Sequence, residues 1–123
     1  MMCWDRQSRS RLPKSVLRSL GERNRQAKVL TNLGNLLLQQ GESTEAVNYF
    51  KESLVLAQST QDQRLQGISY ANLAIVNSEE GHYDLAMEQF NNALNYLEEI
   101  GDGRLEGVVL ARLAVLHARR EDL

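Results

Sequence analysis

The amino-acid sequence predicts an all-α fold: an α-solenoid of antiparallel helix pairs with two complete repeats, an unpaired last helix and an N-terminal helix stub. Two observations carry this. The chain repeats itself at a spacing of 40 residues, so that Asn32-Leu33-Gly34 recurs as Asn72-Leu73-Ala74 and, more loosely, as Arg112-Leu113-Ala114. Between these blocks Gly41-x-x-x-x-Ala46-x-x-x-Phe50-x-x-Ser53-Leu54 returns as Gly81-His82-Tyr83-x-x-Ala86-x-x-x-Phe90-x-x-Ala93-Leu94. The second observation is the apolar spacing inside each unit, which follows i, i+3, i+4, i+7 rather than the alternation of a strand. A fixed period with helical spacing describes stacked helix pairs, each unable to bury its apolar face alone.

The elements follow in order. Arg6 to Lys14 is polar and basic, and Pro13, whose fixed φ suits a first helical turn, opens a short helix to about Leu20 with Val16, Leu17 and Leu20 on one face. In the 40-residue register this stub matches the ends of the second helices of both repeats, and it reads as the tail of a preceding repeat. From about Gln26 to Gln40, Val29, Leu30, Leu33, Leu36 and Leu37 make an amphipathic helix that Gly41 ends. Thr44 is the candidate N-cap of a second helix carrying Ala46, Val47, Phe50, Leu54 and Ala57, broken by Ser59-Thr60-Gln61-Asp62. The same pattern is then written again: Ile68 to Glu80, a Gly81 stop, an Asp84 cap, and Leu85 to Ile100 ending at Gly101-Asp102-Gly103. A last helix runs from about Glu106 to Arg120. Residues 1–14 thus form a basic N-terminal segment and 15–123 the solenoid, with repeats at about 26–65 and 66–105 and a partial one at 106–123.

Composition narrows the function class. A chain 42% hydrophobic and 24% charged folds into an ordinary core, and no run of about 18 apolar residues marks a membrane span. The start Met1-Met2-Cys3-Trp4-Asp5-Arg6 lacks the apolar stretch of a secretory signal, so the expected compartment is the cytoplasm. The single Cys3 cannot form an internal disulfide. Charge is polarised: residues 1–28 hold eight Lys/Arg against two acids, and residues 29–106 hold three against twelve. Opposite ends of that kind would steer copies head to tail, or draw a basic segment of a partner to the acidic body.

The spacing Gly81-x-Tyr83-x-x-Ala86-x-x-x-Phe90-x-x-Ala93-Leu94, preceded by Tyr70, Leu73 and Ala74, resembles the tetratricopeptide repeat. Small residues at Gly34, Ala74, Ala46 and Ala86 would let paired helices approach closely, while Phe50 and Phe90 fill the gap towards the next repeat. Two departures from the common form, the 40-residue unit and the absence of a proline at Gln58 and Glu98, are similar to the extended repeats of Pins-type polarity scaffolds, kinesin light chains and bacterial Rap-type peptide-receptor regulators. The resemblance implies a scaffold that binds an extended peptide or a helix in a concave groove lined by the first helices. By register the groove would present Lys28, Thr31, Asn32, Asn35, Leu38 and Gln39, then Ile68, Ala71, Asn72, Ile75, Ser78 and Glu79, then Val108, Ala111, Arg112, Val115 and Arg119. Asn35 and Asn72 are the foremost candidates, because an amide both donates and accepts and can pair with the backbone of any extended ligand. A dicarboxylate clamp for an acidic C-terminus, as in some members of the family, matches at Asn35, Asn72 and Arg112 but has Thr31 and Val108 where its two lysines would stand.

The expected partner is therefore a protein or peptide, with no cofactor, metal, nucleic acid or membrane and no catalysis. His82 and His117 lie 35 residues apart with no ligand at metal spacing, and Glu79-Glu80 and Glu98-Glu99 are neighbours that diverge around a helix. Gly101-Asp102-Gly103-Arg104 lacks the further glycines and the preceding strand of a phosphate loop. Two alternatives accompany the groove reading. Val109, Leu113 and Leu116 on the unpaired last helix would be an interface for self-association, or the chain would be the regulatory arm of a larger protein.

Overall fold

The computed structural model describes residues 13–121, so that Cys3, Trp4 and most of the expected basic segment lie outside the described residues. Five helices follow one another: α1 (Lys14–Gln39), α2 (Ser43–Thr60), α3 (Gln63–Glu79), α4 (Tyr83–Ile100) and α5 (Gly103–Glu121). α1 packs on α2 and α3 on α4 as the two pairs, while α2 against α3 and α4 against α5 join the pairs into one stack. The all-α solenoid read from the repeat is the architecture observed.

The N-terminal stub is not a separate element. Lys14–Leu20 runs straight into the first repeat helix as its opening turns, making α1 26 residues long. Between Gly21 and Ala27 the chain carries Glu22, Arg23, Arg25 and Gln26, good helix formers with no proline among them, so nothing stops the helix. This extension lies along the axis of α1 and cannot be the antiparallel tail of a preceding repeat. One turn after it, the helix is tied to the stack where Thr60 Oγ1 donates to Asn24 Oδ1 at 2.6 Å.

Links of two or three residues reverse the chain, and each uses one residue in the left-handed region. Gly41 (φ 82°) and Gly81 (φ 85°) turn within the pairs, and Gln61 (φ 57°) and Gly101 (φ 72°) between successive pairs. The residue after each turns its N–H back on the helix just ended, as in Glu42 N–H to Leu37 O at 2.9 Å and Asp102 N–H to Leu97 O at 3.0 Å. Gln61 is the exception in side chain only, since a Cβ in this conformation costs about 1 kcal/mol. Gln61→Gly is expected to raise stability by about that amount in urea melts followed by circular dichroism.

The caps differ from the sequence expectation. α2 and α4 begin one residue before Thr44 and Asp84, with Glu42 and His82 at the N-cap positions making no side-chain cap bond. Capping side chains occur instead at the turns between pairs, where Asp62 accepts from Leu65 N–H at 2.9 Å and Asp102 from Leu105 N–H at 3.1 Å. Asp102 also lies 3.3 Å from Arg64 Nε, joining the first turns of α3 and α5. The Leu105 N–H, helped by the Arg64 hydrogen bond and the charges of Arg64 and Arg104, holds the Asp102 carboxyl below its ordinary value of 3.8 against the opposing effect of partial burial. Because the folded state favours the ionised form, the resulting stabilisation is complete above that ordinary value and is lost as pH falls below it through the lower folded value. Melting temperature should therefore drop over that acidic interval, and Asp102→Asn, which can still cap, should flatten the drop.

Packing fills the repeat register. Phe50, fully buried, sits among Ala46, Leu73 and Val76, with Leu37, Leu38, Val47 and Leu54 around them. Its ring lies where a side chain on Gly34 would be, an added Cβ meeting Phe50 Cε1 at 2.5 Å. Phe90 repeats the arrangement with Ala74, Ala86, Ala93, Leu94, Leu97, Val109, Leu113 and Leu116. One polar cluster interrupts the apolar packing. Thr31 Oγ1 and Ser53 Oγ lie 3.0 and 2.9 Å from Ala27 O and 2.8 Å from one another, with Ser69 Oγ 3.3 Å from Ser53 Oγ. Each hydroxyl has a single proton to give, so these contacts share donors and link α1, α2 and α3 through the core.

Candidate functional site

Each odd-numbered helix has three faces, and α5 shows them most clearly. Val109, Leu113 and Leu116 point into the core. Arg112, Val115 and Arg119 face the concave side, where they meet Ile75, Ser78 and Glu79 of α3 across a cavity of about 230 Å³. Phe90 of α4 and Ala111 complete its lining. The floor is apolar and the rim polar, with two guanidinium groups against one carboxylate. The shape suits a side chain of aliphatic or aromatic size whose neighbour carries negative charge.

The residues expected at the groove divide. Ile75, Glu79, Arg112 and Arg119 come together in this one cavity. Lys28, Asn32, Asn35 and Gln39 are exposed along α1, and Ile68 and Asn72 are half-buried on α3. Asn72 Nδ2 is buried and without a hydrogen-bond partner among the described residues. Thr31 is a correction: it is buried and bonded to Ala27 O and Ser53, so it belongs to the core. The register put it on the groove beside its counterpart Ala111, which does line the cavity, whereas its counterpart Ala71 packs against the core; its partner Ser53, which stands where repeat two has Ala93, was the available signal.

Val109, Leu113 and Leu116 are a second correction. They are 3, 8 and 1% exposed, packed on the preceding pair rather than offered to another chain. The unpaired helix does expose apolar residues, but these are Val115 in the concave cavity, Val108 in helical register with it, and Leu110 on the face towards a following element. A helix in this stack packs with one face on the element before it and another on the element after it, and only the second is open.

Two features were not singled out by the sequence. Phe90 supplies part of the cavity floor although it stands on an even-numbered helix. On another side of the second pair Tyr70 stacks on Tyr96, with centroids 5.9 Å apart and planes 14° apart, beside Asn92, Asn95 and Glu99. Among the described residues no helix is long and apolar enough to cross a membrane, and no three His, Cys, Asp or Glu side chains are grouped as metal ligands.

Antiparallel helix pairs stacked at a fixed period around a concave face define a helical-repeat protein. The family model described as tetratricopeptide repeat matches residues 25–99, more than half of the chain, and the chain belongs to that family. The match takes in α2, α3, α4 and the repeat portion of α1. Repeats of this family mediate protein–protein interactions, typically as scaffolds without catalysis of their own. No curated protein matches the chain.

Proposed function

We propose that this protein is a cytoplasmic interaction scaffold that holds a segment of a partner protein, extended or helical, along its concave face. The observation that carries this reading is the convergence of Ile75, Glu79, Arg112 and Arg119, placed on one face by register, around a single cavity with an apolar floor. The segment inserts an aliphatic or aromatic side chain between α3 and α5 and sets an acidic group against Arg112 and Arg119. Asn72, half-buried on α3, adds a polar contact to the same segment. Lys28, Asn32, Asn35 and Gln39 extend the contact along α1, and Ile68 adds an apolar contact on α3.

Selection of random peptides displayed on phage against the purified chain tests this. Selected sequences should pair a large apolar residue with Asp or Glu. Arg112→Glu/Arg119→Glu should lose them, since hydrogen bonds to charged groups contribute about 1.5–3 kcal/mol each, while the exposed positions leave the melting temperature nearly unchanged. Peptides that bind the double variant as well as the parent would sink the reading.

A further inference from the structure

An acidic group of the partner answers Arg112 and Arg119 but leaves Glu79, on the opposite wall of the same cavity, without a counter-charge. Glu79 is exposed and is the last residue of α3, followed directly by Glu80. The carbonyl end of a helix carries partial negative charge, so a carboxylate there is unfavourable and a cation is favoured. α3 supplies no cation, since its last turn has no basic residue, whereas α5 ends with Arg119 and Arg120. Nor does α5 provide one. The ion pairs among the described residues are Arg64 with Asp102 and Arg120 with Asp84, so no pair joins Glu79 to Arg112 or Arg119 across the cavity. Opposite charges thus face one furrow without neutralising each other directly.

The sign of the charge changes from unit to unit. Gln39, Glu79 and Arg119 occupy one position of the 40-residue repeat, neutral on α1, negative on α3 and positive on α5. A chain crossing from α3 to α5 therefore passes from a negative wall, over an apolar floor to which Ile75 and Phe90 contribute, to a positive wall. Packed helices stand about 8–10 Å apart, and an extended chain advances about 3.3 Å per residue, which separates the two walls by about three residues. The cavity lies between two helices that are both present, so it is a furrow of the stack and not its open end.

We propose that Glu79 is a specificity-determining residue of the groove and that the partner segment carries charge of both signs. A Lys or Arg sits against Glu79, a large apolar residue lies over the cavity, and an Asp or Glu about three positions from the base sits against Arg112 and Arg119. This inference rests on the groove reading and adds the basic residue to it. A segment with acids on both sides of its apolar residue meets like charge at Glu79 and is rejected.

The probe is a library of random twelve-residue peptides displayed on phage and selected in parallel on the parent chain, on Glu79→Lys and on Glu79→Gln. Because Glu79 is exposed and relief of a carboxylate at a helix C-terminus is favourable, both variants should match or exceed the parent's melting temperature. Selection on the parent should enrich a base about three positions from the acid, with the apolar residue between them. Glu79→Gln should lose the base and Glu79→Lys should replace it by a second acid, both keeping the apolar residue and the first acid. A synthetic peptide from the parent selection should bind Glu79→Lys about three- to fivefold more weakly than the parent. The same peptide with its base changed to Glu should reverse that order. Apolar–acidic sequences without the base, or with the base equally enriched on all three chains, overturn this inference and leave the groove reading intact. Absence of apolar–acidic sequences on the parent chain overturns the groove reading and this inference with it.

Discussion

Phe90→Ala is expected to cost about 3–5 kcal/mol, the range for deleting a buried phenylalanine side chain. The ring is 1% exposed and packs on residues of three helices: Ala74 of α3, Ala86, Ala93, Leu94 and Leu97 of α4, and Val109, Leu113 and Leu116 of α5. It also forms part of the groove cavity, which lets water enter the space it leaves and places the loss near the lower end of that range. A whole domain is stable by only about 5–15 kcal/mol, so the midpoint of a urea melt should fall by a large fraction. Because Phe90 joins α5 to the stack, amides of α5 should also lose hydrogen-exchange protection before those of α2. Equal loss along the chain, or a shift of less than about 1 kcal/mol, would show that the ring does not hold that junction.

Gly34→Leu is the second change of this size, and it acts by overfilling. Three atoms of the Phe50 ring lie within 3.0 Å of an added Cβ, and Phe50 is itself fully buried with no room to swing away. Overpacking typically costs about 1–3 kcal/mol and occasionally more, against a gain of about 1 kcal/mol in helix propensity on replacing glycine. Here the first effect wins, since four added carbons must displace α2 from α1, which puts the cost at the top of that range, and a net loss of about 2 kcal/mol is expected. Gly107→Ala is the internal control. With nothing within 4 Å, it should gain about 1 kcal/mol from propensity alone. The opposite signs at two helical glycines follow from whether a neighbouring helix is present.

Much of the candidate site was legible because helical periodicity maps sequence spacing onto faces. Ile75, Glu79, Arg112 and Arg119 are spaced to share one side of their helices, and the structure gathers them. Thr31 misled because the register carries a position from unit to unit without regard to what the facing helix offers it. Here Ser53 in place of alanine offers Thr31 a hydroxyl partner, and the core keeps it. The caps misled for a local reason: Asp62 and Asp102 follow directly on the residue that reverses the chain, so what looked like a helix end is equally the next helix start.

The sequence by itself determined the all-α solenoid, the positions of the turns and which small and large residues recur in register. All of these are set by spacing within one repeat and by the backbone freedom of glycine at positive φ. That the ring of Phe50 lies against Gly34 of its own pair came from the structure. Tertiary structure alone decided that the stub continues α1, that Val109, Leu113 and Leu116 are core, and that Leu110 and Gly107 are what α5 leaves open. An apolar stripe records that a helix must be covered; only the placement of its neighbours says which part of the stripe already is.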